Sequence, residues 1–374
     1  MTLSGAGKRR IILVHDSGKL YFEALSAMES AGEILIESYY MHFMKFLMKG
    51  ILRRDAVMAV KALRSMWFFV KSFFMQGCLV IIGMAPYDPA VMVWRRMAEK
   101  NILIYHTSWP YWDKAEYPES PGVFKGTVCR EWKKFILHPN TFIACVIKKT
   151  KDEIIKKYGK EPSSIFVIPH AVNPDFFYPS RVPVSGLKAF FIGRLVREKG
   201  LRELKTVILS LKKENIHFGI AGSGKDGAML DELKNMPKVS FYGHIKGREK
   251  TGEIMRGYNV LLLPSYKTKT WEELFGIVIL EAMASGLAVI STDCIGPSHI
   301  IKNMKNGILV GQKDPDVMGE KLILLGKERG LMQKIVKNGF KTADKYSIAR
   351  ITILWKKIIG KVIEKNDRAG KRGA

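Results

Sequence analysis

Short apolar runs that end in polar residues recur along this chain, separated by stretches of helical composition. In the first half the runs occupy residues 11–15, 34–37, 79–83, 102–105, 141–146 and 165–168, with helical stretches at 20–30, 91–100, 127–137 and 151–158. Continuous apolar runs of this length fit parallel strands buried on both faces, and repeated βα units build a mostly parallel sheet covered by helices. The rhythm resumes at 189–192, 216–221, 239–243, 259–263 and 287–293. The predicted class is therefore α/β. A stretch containing Pro, Ser and Gly at 179–186 reads as a linker, so the expected division is 1–180, 181–347 and a tail, 348–374. The tail opens with a basic amphipathic helix at 347–365 that contains Trp355.

The most informative stretch is Trp271-Glu272-Glu273-Leu274-Phe275-Gly276 and the apolar helix after it, which stops at Gly286. It lies between two strands and makes a βαβ unit. Glu273 precedes the helix and Glu281 sits inside it, where a carboxylate is costly unless something pairs with it. In open α/β sheets ligands bind beyond the carboxyl ends of strands, and a helix N-terminus favours anions. A site for a phosphorylated ligand whose hydroxyls are held by carboxylates fits these residues. So does a bland arrangement, with Glu281 a buried acid on a structural partner and Glu273 solvated.

Residues 41–76 break the strand-helix rhythm. Lys45, Lys49, Arg53, Arg54, Lys61, Arg64 and Lys71 face the lone acid Asp55, interleaved with Phe43, Phe46, Trp67, Phe68, Phe69, Phe73 and Phe74. Two readings fit: an amphipathic element in the headgroup layer of an anionic membrane, or aromatics packed on the sheet beneath an ordinary solvated basic face. The net charge of +26 favours an anionic partner. No nucleic-acid-binding motif accompanies it, so nucleic acid is not expected.

At 374 residues, with 47% hydrophobic content and 15 prolines, the chain suffices for two domains with full cores. Cys78, Cys129, Cys145 and Cys294 show no CxxC spacing, which argues against a zinc site or a disulfide framework and for a reducing, cytoplasmic location. The run after Arg10 is too short for a signal-peptide core, and residues 72–87 are too short and too interrupted to span a bilayer. Residues 219–226 approach a P-loop, but Asp226 stands where Ser or Thr is needed for magnesium. Asp314-Pro315-Asp316 is nominally a DxD metal motif, yet its place before a helical run predicts an N-cap.

The pattern Glu-x-Phe-Gly-x4-Glu-Ala-Met-Ala-x-Gly, from Glu273 to Gly286, resembles the signature of glycosyltransferase family 4, with Phe275, Gly276, Ala282, Met283 and Ala284 in register. The resemblance implies a GT-B fold, two Rossmann-like domains facing one another across a cleft, with the last helix returning to the first domain. It implies retaining, metal-independent and cofactor-free transfer of a sugar from a nucleotide-sugar, UDP- or GDP-linked. Gly193-Arg194 with Lys199-Gly200 resembles the family's diphosphate-binding motif, in which Arg and Lys stabilise the leaving nucleoside diphosphate. In the same resemblance Glu281 holds the ribose, Glu273 orients the sugar and His106 faces it from the first domain. Phe275, Gly276, Ile277, Gly222 and His244 complete the donor site.

The acceptor side departs from the family. Asp16, Ser17 and Gly18 occupy the place of a glycine pair, and Trp109 and Trp112 are candidates to stack on acceptor sugars. Asn173 stands where Asp is usual and His299 where Glu is common. The expected acceptor is a glycan or lipid-linked precursor, with the protein peripheral on the inner face of the cell membrane through residues 41–76. The alternatives are a GT-B sugar-nucleotide epimerase or phosphorylase, or a non-catalytic basic protein that binds membrane or nucleic acid.

Overall fold

The computed structural model describes residues 9–16, 19, 21–112, 125–181 and 184–372, with side chains as far as residue 364. The chain forms two compact units, one of Met1–Ala171 with Ile348–Ala374, the other of Val172–Ser347. The division falls ahead of the 179–186 stretch because the residues before that stretch are already tied into the second unit. The Val172 N–H donates to the Tyr346 carbonyl at 2.8 Å, Phe177 is buried, and the Arg256 guanidinium donates to the Phe176 carbonyl at 3.0 Å.

In the first unit the elements run β1 (Arg9–Val14), α1 (Glu23–Ser30), β2 (Ile34–Tyr39), α2 (Phe43–Leu52), α3 (Ala56–Ser72), β3 (Leu79–Gly83), α4 (Val91–Ala98), β4 (Ile102–Thr107), α5 (Lys125–Leu137), β5 (Thr141–Cys145), α6 (Lys148–Tyr158) and β6 (Ile165–Val167). The strands are all parallel, in the order β2-β1-β3-β4-β5-β6. Ile11, Leu13, Ile81 and Ile104 are fully buried on this sheet, as a parallel sheet covered on both faces requires. The order reverses at β1, whose neighbours are β2 and β3, and the crevice at such a switch point is where open α/β sheets bind ligands.

The second unit runs β7 (Leu187–Ile192), α7 (Leu201–Ser210), β8 (Ile216–Ala221), β9 (Val239–Gly243), α8 (Arg248–Met255), β10 (Val260–Leu263), α9 (Ile277–Ala284), β11 (Ala288–Thr292), α10 (Ile295–Ile300), β12 (Ile308–Val310), α11 (Pro315–Lys327) and α12 (Arg329–Asp344). Its parallel strands are ordered β12-β11-β10-β7-β8-β9, with the switch point between β7 and β10. Asp314 caps α11 by accepting from the Val317 N–H at 3.1 Å, so Asp314-Pro315-Asp316 is a helix start. The final helix, α13 (Ile348–Arg372), belongs to the first unit, where Ile351, Trp355, Ile358, Ile359 and Val362 are buried in one core with Leu25 and Met28 of α1.

Residues 41–76 form a helical hairpin. Asp55 caps α3 by accepting from the Met58 N–H at 2.9 Å, and a side chain at Gly50 would collide with Ala59. The aromatics divide between two surroundings. Phe46 stacks on Tyr40, Phe68 on Tyr39, and Phe43 packs on Phe69, which in turn packs against Trp94. Trp67, Phe73 and Phe74 are exposed, together with Met44, Met48, Ile51, Leu52, Val57, Val60, Leu63, Met66 and Val70. The inward rings pack as the sheet-packing reading expects, and the outward ones leave an exposed apolar row. Among the described residues no helix is long and apolar enough to cross a membrane.

Candidate functional site

At the switch point of the second unit the loops after β7 and β10 meet. Gly200 starts α7 with φ +76°, and a Cβ there would lie 2.0 Å from the Pro264 carbonyl oxygen, so only glycine lets the loops close. Tyr266 N–H donates to the Glu198 carbonyl at 3.0 Å. Across this join the Lys199 ammonium pairs with the Glu273 carboxylate and stands 5.0 Å above the Trp271 ring.

Glu273 is fixed from behind by its neighbour. Glu272 is buried, and its carboxylate accepts from the Ile295 N–H at 2.7 Å while the Glu273 carbonyl accepts from the Gly296 N–H at 2.9 Å. Two consecutive peptide N–H groups of α10 thus hold the loop. Phe275 is buried, Gly276 adopts φ +79° as the N-cap of α9, and Ile277 is the first residue of that helix. Its first turn leaves peptide N–H groups without helical partners.

One turn further, Glu281 is buried and forms an ion pair of 2.6 Å with Arg248 at the start of α8. Burial raises the pKa of this carboxyl, and Arg248 opposes the rise. Arg248 also lies 5.1 Å from the Phe177 ring.

The ends of β7, β8 and β9 are laced by backbone bonds, Gly193 N–H to Ala221 and Gly222 N–H to Gly243. Gly222 has φ +141°, and a Cβ there would lie 1.8 Å from the Gly193 carbonyl oxygen. Arg194 and His244 are exposed beside this lacing. Asp226, which spoils the P-loop pattern, accepts from the Arg197 N–H at 3.1 Å and faces its guanidinium. Apart from Glu281, which lies one turn into α9, the donor-side candidates lie on loops or helix starts at the carboxyl ends of this unit's strands.

The first unit gathers a separate polar cluster at its own switch point. His42, the N-cap residue of α2, bridges two carboxylates, with Nδ1 2.6 Å from Asp16 and Nε2 3.1 Å from Asp88, and its N–H donates to Asp16 at 2.9 Å. These carboxylates raise the imidazole pKa to about 10, and His42 in turn helps lower that of Asp16, against its burial. Beside them His15 lies against Gly83, where a Cβ would come within 1.9 Å of its ring. His106 is buried, 4.8 Å from the Phe22 ring, 5.5 Å from His170 and 6.3 Å from His15 between ring centroids. Burial, with the two neighbouring imidazoles, depresses its pKa far below the usual value and keeps it neutral.

Asp16 thus joins a polar cluster, while Ser17 and Gly18 lie outside the described residues. Trp112 is fully buried among Tyr87, Tyr105, Trp132 and Tyr158. Trp109 is buried too, its Nε1 donating to the Tyr111 carbonyl at 3.3 Å. Both rings are packed inside the unit, where aromatic area is worth most to the core, and neither offers an open face for stacking. Among the described residues no group of three or more His, Cys, Asp or Glu side chains is arranged to hold a metal ion. Arg248, His42 and Asp88 escaped the sequence reading, since each acts through a partner distant in the chain and none lies in a motif. Glu272, though in the stretch singled out, had no role assigned because its partner Ile295 is distant in the chain.

Residues 175–342 match the family model "Glycosyl transferases group 1". The chain is 29% identical over 240 residues to an uncharacterized glycosyltransferase of Methanocaldococcus jannaschii, a match covering 57% of this chain and 60% of the relative. It is 25% identical over 234 residues to N,N'-diacetylbacillosaminyl-diphospho-undecaprenol alpha-1,3-N-acetylgalactosaminyltransferase of Campylobacter jejuni, covering 58% of this chain and 60% of the relative. The chain thus spans less than two thirds of the length of these curated relatives. The crystal structure of Anabaena HepE in complex with UDP superposes with a TM-score of 0.66 at 14% identity, covering 94% of this chain and 100% of the other. The chain has the GT-B fold of glycosyltransferases, and its second unit carries the match to glycosyl transferases group 1.

Proposed function

We propose that the protein transfers a sugar from a nucleotide-sugar to an acceptor hydroxyl, with retention at the anomeric carbon and without a metal ion. The observation that carries this reading is the meeting of Lys199 and Glu273 at the switch point of the second unit, with Arg194 on the loop after β7 and Glu281 one turn into α9. Arg194 and Lys199 offset the charge that develops on the departing diphosphate, a preorganised electrostatic term worth several kcal/mol. Glu281, paired with Arg248, accepts hydrogen bonds from the ribose hydroxyls. Glu273 positions both the Lys199 ammonium and the sugar. In the family resembled, glycosyltransferase family 4, an oxygen of the leaving phosphate helps to deprotonate the acceptor, so no second carboxylate is needed as nucleophile.

The donor we assign is UDP- or GDP-linked; Anabaena HepE, which shares the fold, was solved with UDP. The acceptor we assign is a glycan or lipid-linked precursor, in line with the diphospho-undecaprenol substrate in the name of the Campylobacter relative. Attachment to an anionic membrane surface through residues 41–76 accounts for the exposed apolar side chains of α2 and α3 among seven cations and one acid.

Thermal-shift and calorimetric titration with UDP, GDP, ADP and their sugar conjugates tests the reading. One nucleotide should bind the wild-type protein and fail to bind Glu281→Ala and Arg194→Ala. No binding by any of them would sink it. Free nucleoside diphosphate released only when acceptor is present separates transfer from epimerisation or phosphorolysis.

A further inference from the structure

The outer flank of the first sheet holds a groove of about 590 Å³ between β2 and α3. Strand β2 is an edge strand paired only with β1, and α3 runs beside it without closing over it. One wall is apolar, made by Val57 and Val60 of the helix, 81% and 56% exposed, beside the strand at Ile36, whose own side chain is packed in the core with α1. Lys61 and Arg64, three residues apart on the same helix face, supply two cations.

The carboxylate in the lining is already engaged. Glu37 pairs with Arg10 at 2.5 Å and accepts from the Tyr39 hydroxyl at 3.0 Å. Among the described residues neither Lys61 nor Arg64 has a carboxylate partner; Lys61 rests 4.6 Å above the Tyr40 ring. Burial, then the neighbouring cations Lys19 and Arg64, push the Lys61 pKa down, so an anion arriving there relieves existing repulsion. A neutral apolar occupant would leave both cations unpaired, and a small inorganic anion would leave the apolar wall in water. An amphiphile with an anionic head satisfies both.

We propose that this groove holds one anionic glycerophospholipid of the bilayer, its phosphate between Lys61 and Arg64 and the upper part of an acyl chain along Val57 and Val60. The proposal rests on the membrane attachment assigned above and adds a defined lipid site to it. The exposed apolar row of the hairpin supplies general adhesion, whereas the groove selects the head group.

Dihexanoyl phosphatidylglycerol, titrated below its micelle concentration into the full-length protein at low salt, is the direct test. Saturable one-to-one binding is expected, with Lys61→Ala/Arg64→Ala weaker by about thirtyfold, two cations at the usual strength of Lys or Arg near a lipid phosphate. Lys45→Ala/Lys49→Ala, which leaves the groove intact, should bind as the wild type does. Dihexanoyl phosphatidylcholine and inorganic phosphate should each bind at least about tenfold more weakly. Equal affinity for either comparator, or unaltered binding by Lys61→Ala/Arg64→Ala, overturns the proposal. Anionic vesicles separate it from the attachment it rests on. Wild-type protein that saturates with the soluble lipid but ignores vesicles overturns the attachment alone, and protein that binds vesicles but not the soluble lipid overturns the groove.

Discussion

Glu281 and Arg248 set the electrostatics of the proposed donor site at the scale of single residues. Removing one partner of a buried pair leaves the other uncompensated, which typically costs about 3–5 kcal/mol. A carboxyl in that position takes up a proton instead, because burial already raises its pKa and Arg248 is what opposes the rise. In Arg248→Ala, nucleotide binding should therefore persist at high pH and weaken as pH falls, and the weakening should set in at a higher pH than in the wild type. Calorimetric titrations between pH 5.5 and 8.5 read this directly, and a parallel pH profile in the two proteins would refute it.

His42 titrates with the opposite logic. Its folded-state pKa is about 10 against an ordinary value of 6.5, so the folded protein holds the proton more tightly than the unfolded chain. The stability it contributes is complete below pH 6.5 and is lost as pH rises towards 10. His42→Gln should have a lower melting temperature than wild type near pH 6, and the difference should shrink by pH 10. A gap that widens with pH would show that the Asp16–His42–Asp88 bridge is not what the imidazole contributes.

At the scale of elements, the loops that form the donor side close only because particular glycines lack a Cβ. Gly222→Ala places a carbon 1.8 Å from the Gly193 carbonyl oxygen at a φ of +141°, so the β7 and β8 turns must part. The expected cost is above about 2 kcal/mol. Thermal melts should show that loss, and nucleotide affinity should fall with it, since Gly193 and Arg194 occupy the same turn. Unchanged stability would mean that the turn relaxes freely. The α2–α3 hairpin is amphipathic on two sides, and helical periodicity could not say which side meets the sheet. Phe68 and Trp67 are adjacent in sequence, yet one is 4% exposed and the other 59%.

At the scale of the whole molecule, the first unit is completed by the far end of the chain. Trp355 is 2% exposed in the core that α13 shares with α1, and truncating such a ring typically costs about 3–5 kcal/mol. Trp355→Ala should lower the calorimetric transition that belongs to the first unit. It should leave in place the nucleotide-dependent stabilisation that belongs to Val172–Ser347. Loss of nucleotide stabilisation in this variant would mean that the units do not unfold independently. The net charge of +26 bears on the same scale, because attraction to anionic vesicles is screened within about 8 Å at physiological salt. Vesicle binding should weaken steeply between low and physiological ionic strength, with the apolar side chains of the hairpin sustaining what remains.

The sequence by itself determined the α/β alternation and picked out the residues proposed for the donor site. Strands buried on both faces must be continuous apolar runs, and Glu273, Glu281, Arg194 and Lys199 sit in compact motifs whose spacing survives in the linear chain. Tertiary structure alone decided how these groups are paired and held. Lys199 meets Glu273 across 74 positions and His42 meets Asp88 across 46, separations at which no local pattern records a contact. It also decided that Trp109 and Trp112 are core, that Val172 already belongs to the second unit, and that of the adjacent rings Trp67 and Phe68 it is Trp67 that faces water. Burial is a property of what packs against a residue, and that partner is fixed only when the sheet order brings distant strands side by side.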